Sequence, residues 1–484
     1  MRRAALAGLG LALASVLGGA LAGCTGGSSV DPAPGTTPFT STVPQADDAD
    51  ARSTPVEDSV YPAMGDPSVD ALHYDLDLSW DPGTKTLTGH EELVLRATAS
   101  ADHFQLDLAE SMQPSRVEVD GRAVDDVHRG KDLIVEREVV ADREYTLTLD
   151  YSGRPTPVPA PSTRRDTPAL GLTVDPSGGL WTMQEPYGAF TWYAVNDQPS
   201  DKARYDITVD VPAPMVGVSN GTLTSRTTED GRTKTSWHLD EPAASYLVTL
   251  AVGPYRETKA ESSSGVPISY WTTAQDSDLL SNLEQAPALL DWLERRLGPY
   301  PFDSLGFVLV DSESGMETQT MITLGREPAD SGPEVLVHEM AHQWYGDLVT
   351  PSDWRDVWMN EGMAMYLQNT WQDEAWKLPP GDSLSSSRSD EIDSRRTAGP
   401  PGAYKKERFA ENNVYFGPAF MWDRLRRTIG DDAFWRLVRE WPAARAERST
   451  GRDDYVDWIE EQTGRELSAF FRQWLMSPRS PLQR

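Results

Sequence analysis

Cysteine is nearly missing from this chain of 484 residues: Cys24 is the only one. An intramolecular disulfide is therefore excluded. Positive charge is also scarce. The chain has 44 Lys and Arg against 75 Asp and Glu, a formal net charge of −31, which removes the electrostatic case for binding nucleic acid. A solvated acidic surface accounts for the excess, with a weak leaning toward cationic peptides. The apolar run at residues 4–21 is short and Gly-interrupted for a membrane core of about 30 Å, which argues against an uncleaved spanning helix. Histidine is rare as well. There are seven, and only His338 and His342 lie beyond His238.

Those two histidines sit in His338-Glu339-Met340-Ala341-His342, preceded by the apolar Val335-Leu336-Val337 of a buried helix. Residues i and i+4 of a helix share a face, so the two imidazoles can reach one metal ion with Glu339 beside it as a base. One helical face supplies only two good ligands. Glu361, in Trp358-Met359-Asn360-Glu361-Gly362, is the natural third. Two His and one Glu with an open fourth position describe a catalytic zinc, not a closed structural one. Glu339 is one position removed from a ligand and rotated by about 100°. It is therefore assigned to proton transfer and not to coordination.

The stretch His338 to Gly346, with Asn360-Glu361-Gly362 beyond it, resembles the M1 (gluzincin) metallo-aminopeptidases. The likeness runs from about Tyr61 to the C-terminus and is strongest over 298–371. It implies one zinc per chain, peptide substrates with a free N-terminus, and hydrolysis of the first residue by activated water. It also implies a hydroxyl donor for the oxyanion. Tyr415, in Asn413-Val414-Tyr415-Phe416-Gly417-Pro418, fills that place, with Pro418 where the family has glycine; Tyr404 is its competitor. Ser314-Gly315-Met316-Glu317-Thr318 is similar to the family's Gly-x-Met-Glu-Asn, with Ser314 and Thr318 as departures. By that likeness Glu317 binds the substrate amine, and the backbone at Gly315 and Met316 pairs with the peptide as an added strand. Glu185, in Thr182-Met183-Gln184-Glu185, is a second amine anchor by the same resemblance. An endopeptidase on the same scaffold, an epoxide hydrolase like one family branch, and a catalytically silent surface-binding protein are the alternatives.

The length suggests two or three domains. Arg2-Arg3, the apolar run and Leu21-Ala22-Gly23-Cys24 read as a secretory signal over 1–23 that resembles a bacterial lipobox. The expectation is export and anchoring of the enzyme to the membrane of the cell envelope through a lipidated Cys24. Residues 24–58, rich in Gly, Ser, Thr, Pro and Asp, read as a flexible tether. From 59 to 265, alternations such as Tyr74, Leu76, Leu78, Trp80 and Tyr246, Val248, Leu250, Val252 predict an antiparallel β domain. Beyond it the period lengthens: Leu279, Leu283, Ala286, Leu290, Leu293 and Leu297 predict a helix that Pro287 kinks or begins. Residues 266–484 are expected to form a mainly helical, thermolysin-like zinc peptidase domain, giving an α+β multidomain fold. Residues 378–402 are polar and rich in Pro and Gly, and predict an exposed loop. The chain stops soon after Trp474-Leu475, so a large helical C-terminal domain is not expected and the cleft should be open.

Overall fold

Alternation along Val69–Asp81 sets the first layer: Tyr74, Leu76, Leu78 and Trp80 are buried, while Asp75 and Asp77 face solvent. A period of two with one face wet is what an antiparallel sheet needs. The computed structural model describes residues 51–483. In it this strand lies inside an eight-stranded sheet ordered Thr222–Glu229, Arg232–Ala244, Lys202–Pro212, Val69–Asp81, Thr86–Ala97, Glu144–Gly153, Met112–Val119 and Arg122–Ala123. Its neighbours run antiparallel except for Val69–Asp81 against Lys202–Pro212. A second sheet of five strands carries Leu180–Met183, which leads directly into Glu185.

The peptidase region begins with a mixed sheet ordered Arg256–Glu261, Pro267–Thr272, Leu305–Val310, Met321–Gly325 and Gly315–Met316. Strands Arg256–Glu261 and Pro267–Thr272 form a hairpin, so a boundary drawn at 265/266 cuts through one unit. Gly315–Met316 is the edge strand. Helices follow, and three of them matter most: a histidine helix Pro333–Ala341, a glutamate helix Trp358–Ala375 and a tyrosine helix Asn412–Ile429. Among the described residues no helix is long and apolar enough to cross a membrane.

Three local expectations need correction. Tyr246 and Val248 are buried, but residues Ser245–Leu247 form a 3₁₀ turn and the strand starts only at Leu250. Full burial on both faces leaves no alternation to read. Residues 51–58, placed in the tether by composition, belong to the folded unit. Ser53 N donates to Asp70 and Val56 N to Ser200, while Asp58 accepts from Trp354 N at 2.6 Å. Cys24 and the rest of that tether lie outside the described residues. Residues 378–402 are not simply an exposed loop, because they hold helices Asp382–Ser385 and Arg388–Ala398. Polar composition hid a buried pair. Arg395 Nε donates to Glu391 at 2.6 Å, and its Nη1 donates to the carbonyls of Trp474 and Ser477. Pro287 proved to mark a start, since it occupies the first turn of Ala286–Leu297, where a missing N–H costs nothing.

The Glu391–Arg395 pair yields a stability prediction. Arg395→Ala strands a buried carboxylate and is expected to cost about 3–5 kcal/mol, read as a lower urea midpoint. Arg396→Ala removes a partner from the exposed ion pair with Asp393 and is expected to leave the midpoint where it was.

Candidate active site

Pro333 opens the histidine helix, and helical geometry continues through His342 (φ −60°, ψ −26°). His338 and His342 therefore stack on one face, with ring centroids 4.9 Å apart. His342 Nδ1 lies 3.1 Å from the carbonyl of Tyr345. A carbonyl only accepts, so Nδ1 carries the proton and Nε2 keeps its lone pair for a ligand. His338 is buried, and burial pushes its pKa down to about 4, which keeps it neutral. Gln368 lines the same cavity as His338, and among the described residues His338 Nδ1 has no hydrogen-bond partner.

The glutamate helix presents Glu361 from its first turn. Glu361 Oε2 is 3.3 Å from His338 Nε2 and 3.6 Å from His342 Nε2. Tetrahedral coordination with bonds of about 2.0–2.1 Å would set donors about 3.3–3.4 Å apart. These three side chains fit one ion of that size. Two further groups, Glu317, Glu339 and His342, and Glu185, Glu317 and Glu361, also bring one donor atom each within 4.8 Å of one another.

The histidine, glutamate and tyrosine helices and the edge strand converge on one cavity of about 510 Å³, lined among the described residues by seven acidic residues and, of Lys and Arg, by Arg164 alone. Glu339 is pushed well above the usual carboxylate range by burial, then by Glu317 and Glu361. Glu185 is raised by burial and then by Glu317, and Glu317 and Glu361 are raised chiefly by burial. Among the described residues, Glu185 Oε1 and Glu317 Oε1 are buried without a hydrogen-bond partner. Unpaired buried acceptors are costly, and such a cluster is built to meet cations.

The edge strand explains one glycine and one departure. A Cβ on Gly315 would fall 2.6 Å from Glu339 Oε1, so a larger residue here would have to push that carboxylate aside. Met316 is buried beside it. Thr318 closes the following turn: its hydroxyl donates to the Met321 carbonyl and accepts from Thr323 N at 3.1 Å. Gln343 donates to the Glu317 carbonyl and accepts from Thr320 N, which ties this turn to the histidine helix. Pro418 lies within the tyrosine helix and packs on Gly362, where a Cβ would sit 2.3 Å from the proline Cβ.

Tyr415 stacks on His338 with centroids 6.0 Å apart, and its hydroxyl accepts from Arg164 Nη1 at 3.0 Å. Tyr404 is elsewhere: buried, it donates to the Trp354 carbonyl. All the residues singled out in the sequence, Glu185, Gly315, Met316, Glu317, His338, Glu339, His342, Glu361 and Tyr415, line this cavity. Arg164, Gln343 and Gln368 were not foreseen. Arg164 sits in a Pro- and Thr-rich stretch with no spacing to mark it.

Residues 70–247 match the peptidase M1 N-terminal domain, and residues 281–474 match the peptidase family M1 domain. The chain belongs to peptidase family M1. A crystal structure of an M1 zinc metallopeptidase from Deinococcus radiodurans superimposes with a TM-score of 0.79 at 26% identity, covering 88% of this chain and 98% of that one. A mutant from the same organism bound to a Tyr-Ser-Ala substrate superimposes with a TM-score of 0.76. Aminopeptidase N of Streptomyces lividans is 26% identical over 409 residues, which are 76% of this chain and 44% of that protein. Human glutamyl aminopeptidase is 25% identical over 332 residues, 62% of this chain and 34% of that protein. The chain spans half the length of these two curated M1 relatives or less.

The contact between Gly362 and Pro418 couples the two helices that carry Glu361 and Tyr415. Gly362→Ala is expected to cost about 1–3 kcal/mol by overpacking, seen as a lower thermal midpoint. Adding Pro418→Gly should recover part of that loss; a second drop of equal size would show that the two residues do not press on each other.

Proposed function

We propose that this chain is a zinc-dependent aminopeptidase that removes the N-terminal residue from peptides. The observation that carries the proposal is the pair of carboxylate oxygens of Glu185 and Glu317, buried with no partner among the described residues, beside the His338, His342 and Glu361 triad. A triad of that chemistry suits zinc with an open position. Zinc, when bound, supplies a Lewis acid that makes water acidic near neutral pH and polarises a carbonyl.

The chain's own residues do the rest. Glu339, made more basic by burial, accepts the proton of the attacking water and returns it to the leaving amine nitrogen. The hydroxyl of Tyr415 donates to the oxygen that gains charge as the carbonyl carbon becomes tetrahedral. The free edge of Gly315–Met316 pairs with the substrate backbone, and Glu317 with Glu185 holds the α-ammonium by charge-assisted hydrogen bonds. Placing the ammonium against these acids fixes which peptide bond meets Glu339. The site therefore counts from the N-terminus.

Elemental analysis is expected to find about one zinc per chain, to find it lost in His342→Ala, and to find it kept in Glu339→Gln. That second variant should be inactive. Full zinc in His342→Ala, or near-normal turnover in Glu339→Gln, would refute these assignments.

Acetylation removes the substrate cation and leaves both acids unpaired, a kind of discrimination that reaches about 10,000-fold. N-acetylated peptides are expected to be inert, and Glu317→Ala should depress kcat/KM for free peptides far more than for blocked ones. Comparable cleavage of both at internal bonds would instead assign an endopeptidase.

We also propose export and lipid anchoring through Cys24. Arg2-Arg3, the apolar residues 4–21 and Leu21-Ala22-Gly23-Cys24 support it, and two or more acyl chains suffice for stable anchoring. Mass spectrometry of the mature N-terminus should find an acylated Cys24; an unmodified start elsewhere would overturn it.

A further inference from the structure

Arg164 reaches the cavity from the β domain, in the segment between strands Val158–Pro159 and Ala169–Val174. All five of its N–H groups are spent. Nε donates to Asp166 Oδ1 at 3.1 Å, and Nη2 donates to Asp166 Oδ2 and to Ser314 Oγ at 3.2 Å. Nη1 donates to the Ala410 carbonyl at 3.2 Å and to the Tyr415 hydroxyl at 3.0 Å. A guanidinium has no sixth donor, so this arginine has none left for a substrate carboxylate.

The rest of the segment is docked as firmly. Phe409 N donates to the Pro161 carbonyl at 3.0 Å, Thr163 Oγ1 donates to Glu411 at 2.5 Å, and Arg408 donates to Thr163 Oγ1 at 2.7 Å. Ala410, whose carbonyl Arg164 holds, has a left-handed backbone with φ +48°. Such strain in a non-glycine persists only where its surroundings enforce it.

We propose that Arg164 is a positioning residue that fixes the direction of the Tyr415 hydroxyl, with Ser314 as its second brace. A phenol has one proton and lone pairs that accept. A guanidinium only donates, so it must take a lone pair of Tyr415 and leave the O–H free to point elsewhere. The Tyr415 ring lies against His338 and lines the cavity together with the triad, so the O–H is left to donate into that cavity, where a substrate carbonyl would need it. Ser314, standing where the family pattern has glycine, supplies the hydroxyl that takes the other arm of the fork. Lysine could not replace this geometry, because an ammonium is a point donor and not a planar fork.

This rests on the assignment of Tyr415 as the oxyanion donor, and a double-mutant cycle on the full-length zinc enzyme separates the two ideas. The probes are aminoacyl fluorogenic amides and tripeptides ending in either a carboxylate or an amide. Arg164→Ala is expected to lower kcat about 10- to 100-fold, short of or equal to the loss of one oxyanion donor, with KM within about threefold. Arg164→Lys should recover little of it. In a Tyr415→Phe background the same change should cost less than about threefold more, because its target is gone. Ser314→Gly should show a smaller kcat loss with the same dependence on Tyr415.

Zinc content and thermal midpoint report folding. If Arg164→Ala does not fold, Arg164→Lys and Ser314→Gly are cycled against Tyr415→Phe in the same way. Multiplicative effects in the double variants would overturn the proposal while leaving the aminopeptidase assignment intact. A rise in KM confined to peptides with a free C-terminal carboxylate would overturn it too, and would make Arg164 a substrate receptor. Inactive wild-type enzyme carrying full zinc would fail the functional proposal itself, and this one with it.

Discussion

Negative charge buried with too little counter-charge, one arginine against a cluster of acids, is the constraint on which this molecule turns. Glu185, Glu317, Glu339 and Glu361 share one cavity, and burial raises the proton affinity of each. Carboxylates forced together in low dielectric either keep protons or gather cations. The site offers two places for cations: the triad of His338, His342 and Glu361, and the space before Glu185 and Glu317. A metal in the first and an ammonium in the second would relieve the repulsion. In the proposed function, binding and chemistry draw on the same electrostatic strain, and selection of a free N-terminus would then come with the catalytic site and need no separate pocket.

Such strain persists only if the walls cannot relax, and the two halves of the chain are cross-bonded around the cavity. Lys202, from the large sheet, donates to the carbonyls of Asp347 and Leu348 just past the histidine helix. Asn220 donates to the carbonyls of Leu247 and Gln319, and Gly221 N donates to Thr320. Asp58 holds the backbone of Trp354 ahead of the glutamate helix. The bonds to Gln319 and Thr320 fix backbone and side chain just past Glu317. Buried hydrogen bonds are costly to leave unmade, so the cavity walls hold together against the repulsion inside them.

What the sequence made legible follows from how local each signal is. The spacing from His338 to His342 is one helical turn, and Tyr74 to Trp80 is a period of two; both are written in consecutive residues. Glu361 needed only a second helix nearby. Arg164 could not be found this way, since it lies 251 residues from Tyr415 and meets it only because the β domain packs beside the tyrosine helix. The helices inside 378–402 were hidden for a related reason. Composition counts Glu391 and Arg395 as polar, but their partners are each other and distant carbonyls, and a satisfied polar group can be as buried as a leucine.

The departures from the family pattern carry the last step. Ser314, Thr318 and Pro418 each change a residue type, and each has a compensating contact in this chain. Thr318 closes its turn through its own hydroxyl. Pro418 fills the space left by Gly362. Ser314 bonds to Arg164. An unfavourable charge cluster and the contacts that hold its walls in place occur together here, and that combination is what the proposed hydrolytic site would require of its scaffold.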